Sequence, residues 1–197
     1  MAKTKWRGGA LLAPVPAVLV SCGKADAPNL ITVAWTGITN TVPPKTYISV
    51  RPGRYSYGLI EETGTFVINL PSADLCRAVD FCGMYTGRKV NKFEKTGLTP
   101  APSEEIDTPS VAECPISLEC RVTDKISLGS HDMFLADILC VNVDESCIDK
   151  SGRLDIARAN LMAFAHGEYF ALGKKLGKFG FSAAKKKKHT QKPKESK

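Results

Sequence analysis

A chain of 197 residues, 43% hydrophobic and 24% charged, is long enough for one domain with a real core and has the composition of an ordinary globular protein. Its +7 charge is lopsided. Residues 183–197 hold seven lysines against one glutamate, +6 of the total, so residues 1–182 carry only +1. The part expected to fold is nearly neutral, and no stretch approaches the roughly 18 consecutive apolar residues of a membrane span.

At the N-terminus, Lys3, Lys5 and Arg7 precede "ALLAPVPAVLV", which runs into "LVSCG". This has the outline of a signal peptide with a lipoprotein-type cleavage site before Cys22. Pro14 and Pro16 argue against it, because they interrupt the apolar run where a helical segment should be continuous. "AVLVSCG" reads instead as a buried strand, Ala17–Cys22, ending in a turn at Gly23. Further strands are expected over Ile31–Thr36, Thr46–Arg51, Thr65–Leu70, Ile116–Thr123 and Met133–Val143. In "ISLECRVT", Ile116, Leu118, Cys120 and Val122 alternate with Ser117, Glu119, Arg121 and Thr123, so that strand should bury one face.

Short helices separate the strands. Ser56 is placed to cap one that runs to Glu62 and stops at Gly64. Ser72 is placed to cap "ADLCRAVDFC", which should stop at Gly83, and "NKFEKT" should stop at Gly97. Residues 156–170 read as helix or irregular chain, and "FALGKKLGKFGFS" is too rich in glycine for a long helix. Many strands with a few short helices indicate a mainly β domain, a barrel or sandwich with inserted helices.

Seven cysteines, an odd number without a C-x-x-C pair, fall as C-x5-C at Cys76/Cys82 and Cys114/Cys120. No histidine accompanies either pair closely, so a metal site is not expected, and free thiols in the reducing cytoplasm are. No paired carboxylates, no Ser-His-Asp set and no G-x-G-x-x-G are legible, which leaves hydrolysis and a Rossmann dinucleotide fold unsupported.

Four loops remain. "SVRPGRYSY" places Ser49 and Arg51 at a strand end and Ser56 at a helix start. There the free N–H groups and the helix dipole favour an anion and Arg51 offers a planar fork to a phosphate; the alternative is a simple cap with solvated arginines. "TGRKVNKFEKTG" supplies Thr86, Arg88, Lys89 and Lys92, without the spacing of a Walker loop. Trp35, followed by Thr36, suits either a flat ring or the core. His131 falls in a hairpin turn. The tail "AAKKKKHTQKPKESK" should be disordered; it has no aromatic residue to stack on bases, which weakens a nucleic-acid role.

Taken in order, "PVPAVLVSCGKADAPNLITVAWTGITNTVPPKTYISVRPGRYSYGLIEETGTFVINLPS", "CGMYTGRKVNKFEKTGLTP", "ECPISLECRV", "GSHDMFLADI" and "AHGEYFALGKKLGKFGFS" resemble the flavin reductase-like family, and within it the flavoredoxin group. The blocks span nearly all of residues 14–182. The resemblance implies a split β-barrel over residues 1–182 that binds FMN non-covalently, forms a homodimer with the flavin near the interface, and takes electrons from NADH or NADPH or exchanges them with a partner protein. It places Ser49, Arg51 and Ser56 at the flavin phosphate and Lys92 as a second basic contact. Asn29, Trp35 and Thr36 match positions beside the isoalloxazine, and His131 and Phe164 match positions that close the site. Asn91 departs from the family's more usual aspartate. The lysine tail at residues 183–197 lies outside the resemblance. An alternative to a redox protein is a chain that binds nucleic acid or an anionic membrane through that tail.

Overall fold

The structure, a computed structural model, describes residues 1–183. The expected disordered tail falls almost entirely outside the described residues. The chain runs through β1 (Val15–Pro16), β2 (Val18–Cys22), β3 (Asn29–Val33), β4 (Thr36–Thr41), β5 (Pro44–Val50), α1 (Tyr55–Thr63) and β6 (Thr65–Leu70). It continues through α2 (Cys76–Met84), α3 (Lys92–Thr96), β7 (Pro100–Ala101), β8 (Ser110–Val111), β9 (Ile116–Ser127), β10 (Asp132–Val143), β11 (Met162–Ala165) and β12 (Glu168–Ala171).

Seven strands form one antiparallel sheet in the order β3-β2-β6-β9-β10-β5-β4. The sheet curls until the chain just past β3 meets β5, where Ser49 N–H donates to the Trp35 carbonyl at 2.8 Å. This is a split barrel. Its interior is filled by alternate residues of the strands, among them Val18, Val20, Ile48, Phe66 and Phe134, and is lidded by Tyr57 and Ile60 of α1. The other face of β2 and β3, with Ala17, Leu19 and Leu30, packs against Val79 and Cys82 of α2 and Phe93 of α3. Covering on both faces explains why all five residues of β2 are buried. Cys22 is fully buried in that strand, the strand reading of "AVLVSCG".

Several boundaries differ from expectation. Strand Ile31–Thr36 is divided: β3 ends at Val33 and Thr36 opens β4, which turns back onto β5. β9 buries both faces in its first half, since Ser117 and Glu119 are enclosed along with Ile116 and Cys120. Glu119 is fully buried, and its carboxylate accepts from Glu104 N–H, Glu105 N–H and Asn142 Nδ2. Ser117 Oγ donates to Asn69 Oδ1, so polar contacts stand in for apolar ones on that face.

Residues 156–170 contain no helix; they hold β11 and most of β12. His166 and Gly167 both take positive φ, 51° and 91°, which gives the two-residue turn whose twist suits a hairpin. Ser56 does not cap α1: Arg54 occupies that position with no side-chain bond, and Ser56 is buried inside the first turn. Ser72 makes no cap bond either, and α2 runs through Gly83 to Met84. Asn91 does cap α3, accepting from Glu94 N–H, so the amide does what an aspartate would do there.

Candidate functional site

The loop between β5 and α1 and the chain after α2 meet over the outer end of β3. Asn29 opens β3 and is buried; its Nδ2 donates to Ser56 Oγ at 2.7 Å. Lys92 opens α3 and is also buried, with Nζ donating to the carbonyls of Leu30 and Cys82 at 2.6 and 2.7 Å. Two carbonyls satisfy two of the three ammonium N–H bonds. Among the described residues no carboxylate pairs with Lys92, so a positive charge lies buried without a counter-ion. Burial pulls its pKa below the ordinary lysine value, and nearby Arg54 adds to the effect while Cys82 and Cys22 oppose it. Burial likewise pushes the Cys22 and Cys82 thiols up to about 11, so both stay protonated.

Gly87 crosses above this floor. A Cβ there would stand 2.1 Å from Asn29 Oδ1 and 2.6 Å from a ring carbon of Tyr55. Only glycine lets the chain pass so close. Arg88 lies over the Tyr55 ring, 5.3 Å from its centroid.

Three adjoining cavities make one groove from this point. The innermost, of about 90 Å³, is lined by Arg54, Ser56, Thr86, Gly87 and Lys92. The next, of about 280 Å³, shares Arg54 with it and adds Arg51, Ser49, Trp35 and His131. The outermost, of about 500 Å³, keeps Ser49, Trp35 and His131 and adds Thr36 and Tyr47. One end is therefore small and cationic, and the other is wide and aromatic. At the small end the first turn of α1 presents the N–H groups of Tyr55 and Ser56, which have no partner within the helix. Arg51 and Arg54 make no ion pair among the described residues. A separate apolar cavity of about 260 Å³, between β1, Leu70 and Leu161, offers no charged side chain.

The sequence-predicted residues divide along the groove. Ser56 and Lys92 sit at the cationic end, and Arg51 and Ser49 come next. Trp35, 37% exposed, and Thr36 line the wide end, where Thr36 Oγ1 donates to the Tyr47 carbonyl at 2.6 Å. His131 spans the two larger cavities. Its Nδ1 lies 3.0 Å from Ser130 Oγ, and burial, then Arg51 and Arg54, hold its pKa below the ordinary value. Asn29 bonds Ser56 at the cationic end, lines none of the three cavities directly, and opens β3, whereas Trp35 lies beyond its end at Val33. Phe164 stands on the far side of Trp35, in a cavity of about 310 Å³ that both residues line, and packs edge-on against Tyr169. Gly87 and Arg54 were not among the predicted residues. The Thr-Gly step before Arg88 was a visible signal, but its closeness to Asn29 is a tertiary fact.

The model of the flavin reductase like domain matches residues 11–173. The chain belongs to the flavin reductase-like family. Flavoredoxin of Desulfovibrio vulgaris (Miyazaki F) superposes with a TM-score of 0.87 at 35% identity, over 93% of this chain and all of that one. Flavoredoxin from Methanosarcina acetivorans gives 0.82 at 25% identity, with the same coverage of both chains. A Shewanella frigidimarina protein described as a flavin reductase with a split barrel domain shares the fold: its TM-score is 0.75 at 22% identity, over 84% of this chain and 85% of that one. A flavin-binding redox function goes with this family membership.

Proposed function

We propose that this flavin reductase-like protein binds FMN non-covalently along the groove and uses it for electron transfer. The observation that carries the reading is Lys92. A buried ammonium without a carboxylate partner is costly, and an anion in the adjoining 90 Å³ cavity would neutralise it. That volume is room for a handful of water molecules, which suits one phosphate group. Lys92, Ser56, Arg54 and the first N–H groups of α1 would hold the phosphate, with Arg51 on its outer side. Asn29 orients the Ser56 hydroxyl. Trp35, Thr36 and Ser49 would flank the isoalloxazine, His131 would border it, and Phe164 would back Trp35. Bound FMN supplies the hydride and electron chemistry, and the protein supplies binding, orientation and tuning.

NADH or NADPH as donor makes the protein a reductase; a protein donor and acceptor make it a flavoredoxin-type carrier. Stopped-flow bleaching of the bound flavin by each nucleotide separates the two. Reconstitution tests the basic reading: the purified protein should be yellow and hold one FMN per chain, and a colourless protein that takes up no flavin overturns it. We further propose a homodimer. Leu12 of the N-terminal segment and Leu176 and Phe179 near the C-terminal end of the described chain are exposed, and a second copy would cover them. Sedimentation of the FMN-loaded protein should give a dimer at micromolar concentration. Seven free thiols suit the reducing cytoplasm. The lysine tail has no part in the redox reading.

A further inference from the structure

The groove has two walls from different parts of the chain. One is the start of α1, with Arg54 and Ser56. The other is the β9–β10 turn, with His131. A side-chain hydrogen bond ties them: Tyr57 OH, one residue past Ser56, donates to Asp132 Oδ2, one residue past His131, at 2.5 Å. Both residues are buried. The surroundings hold the bond in place. The Tyr57 ring packs edge-on against Phe134 at 5.2 Å, and Lys125 lies 5.7 Å above its centroid while pairing with Glu61 of α1. Asp132 is registered opposite Val50 of β5 and Ser127 of β9. The turn itself is closed by Leu128 N–H donating to the His131 carbonyl at 2.9 Å.

The geometry points to Tyr57 and Asp132 as a positioning pair that sets how far the His131 wall stands from the anion seat, and thereby preorganises the groove for a ligand that must reach both ends at once. The inference rests on the flavin reading of the same groove. Neither side chain lines any of the three cavities, so the pair acts through its neighbours. A ligand that spans seat and wall gains from their fixed separation, whereas one that meets a single end gains little.

The test uses full-length Tyr57→Phe, which keeps the ring and its packing and removes only the donor. FMN affinity, measured by fluorescence quenching, should fall about tenfold, while riboflavin affinity changes much less. In the flavin-free variant the His131 pKa, followed by NMR, should rise towards its ordinary value. The turn is then released from the positive charges of Arg51 and Arg54, the neighbouring Asp132 being present in both proteins. Asp132→Ala should reproduce the loss of FMN affinity, and Asp132→Asn, which keeps an acceptor, should restore most of it; the His131 titration is read in Tyr57→Phe alone, because removing the Asp132 charge would itself lower the His131 pKa. Unchanged FMN affinity and an unmoved His131 titration in Tyr57→Phe would overturn the inference. If the unaltered protein itself binds no flavin, the functional reading fails, and the His131 titration still decides whether the tie positions the wall.

Discussion

Replacing Lys92 with methionine tests the anion seat most directly. Methionine retains much of the stem that fills the space between β3 and α2 but carries no charge. The ammonium already spends two N–H bonds on Leu30 and Cys82, so one remains for a ligand. A charge-assisted hydrogen bond contributes about 1.5–3 kcal/mol, so FMN should bind the variant roughly tenfold to somewhat over a hundredfold more weakly. Riboflavin, which has no phosphate, reports the general effect of leaving two carbonyls without their donor. The ratio of the two affinities isolates the phosphate contact. Proton linkage supplies a second readout. Burial lowers the Lys92 pKa in the flavin-free protein, and a phosphate would raise it again. Above pH 7 the phosphate is already largely dianionic. FMN binding then takes up a proton once the pH exceeds the lowered Lys92 value, so affinity falls as the pH rises through that value towards 10.5. Calorimetric titrations of FMN and riboflavin across this range, in both proteins, measure everything required. Equal losses for the two flavins, or a pH slope that survives in Lys92→Met, would refute the assignment.

Arg51→Ala should weaken FMN by about tenfold and riboflavin far less, because Arg51 is proposed to meet the outer side of the phosphate; equal weakening would make Arg51 structural. Gly87→Ala forces a Cβ into the Asn29 amide, which is held by Ser56 and has little room to retreat. Chemical denaturation should show a loss of about 1–3 kcal/mol together with weaker FMN binding, and unaltered stability would mean that the chain at 86–88 yields freely. Thiol alkylation of the native protein should single out Cys76 first. Cys22 and Cys82 are pushed up to about 11, and Cys114 and Cys120 to about 12, all by burial, so few thiolates form near neutral pH. Mass spectrometry of the labelled peptides checks the order, and early labelling at Cys120 would contradict it.

Local pattern was enough for much of this protein. The apolar run before Gly23, the β6 segment between Thr65 and Leu70 and the alternation in "ISLECRVT" identify strands because side-chain period and turn residues are encoded within a few positions. Gly64 and Gly97 end their helices in the left-handed conformation that the sequence invites. The arginine and serine loop before α1 was legible as a place where an anion seat or a simple cap could form, for the same reason. What the pattern could not convey is which distant segments close on one another. Ser56 reads as a cap from its neighbours, yet it faces Asn29, 27 residues earlier. Nothing near Asn29 in the sequence indicates that its amide will hold the Ser56 hydroxyl. Nothing around Gly87 in the sequence marks out why glycine is needed there, and its need is set by Asn29 and Tyr55 from two other elements. Lys92 reads locally as one of several basic residues after Thr86, and only the packing of α3 under β3 makes it a buried charge. Chain periodicity fixes which face a residue occupies, because it depends on bond geometry alone. The identity of the atoms opposite that face depends on the curl of the sheet and the docking of helices, which are long-range and leave no trace at any single position.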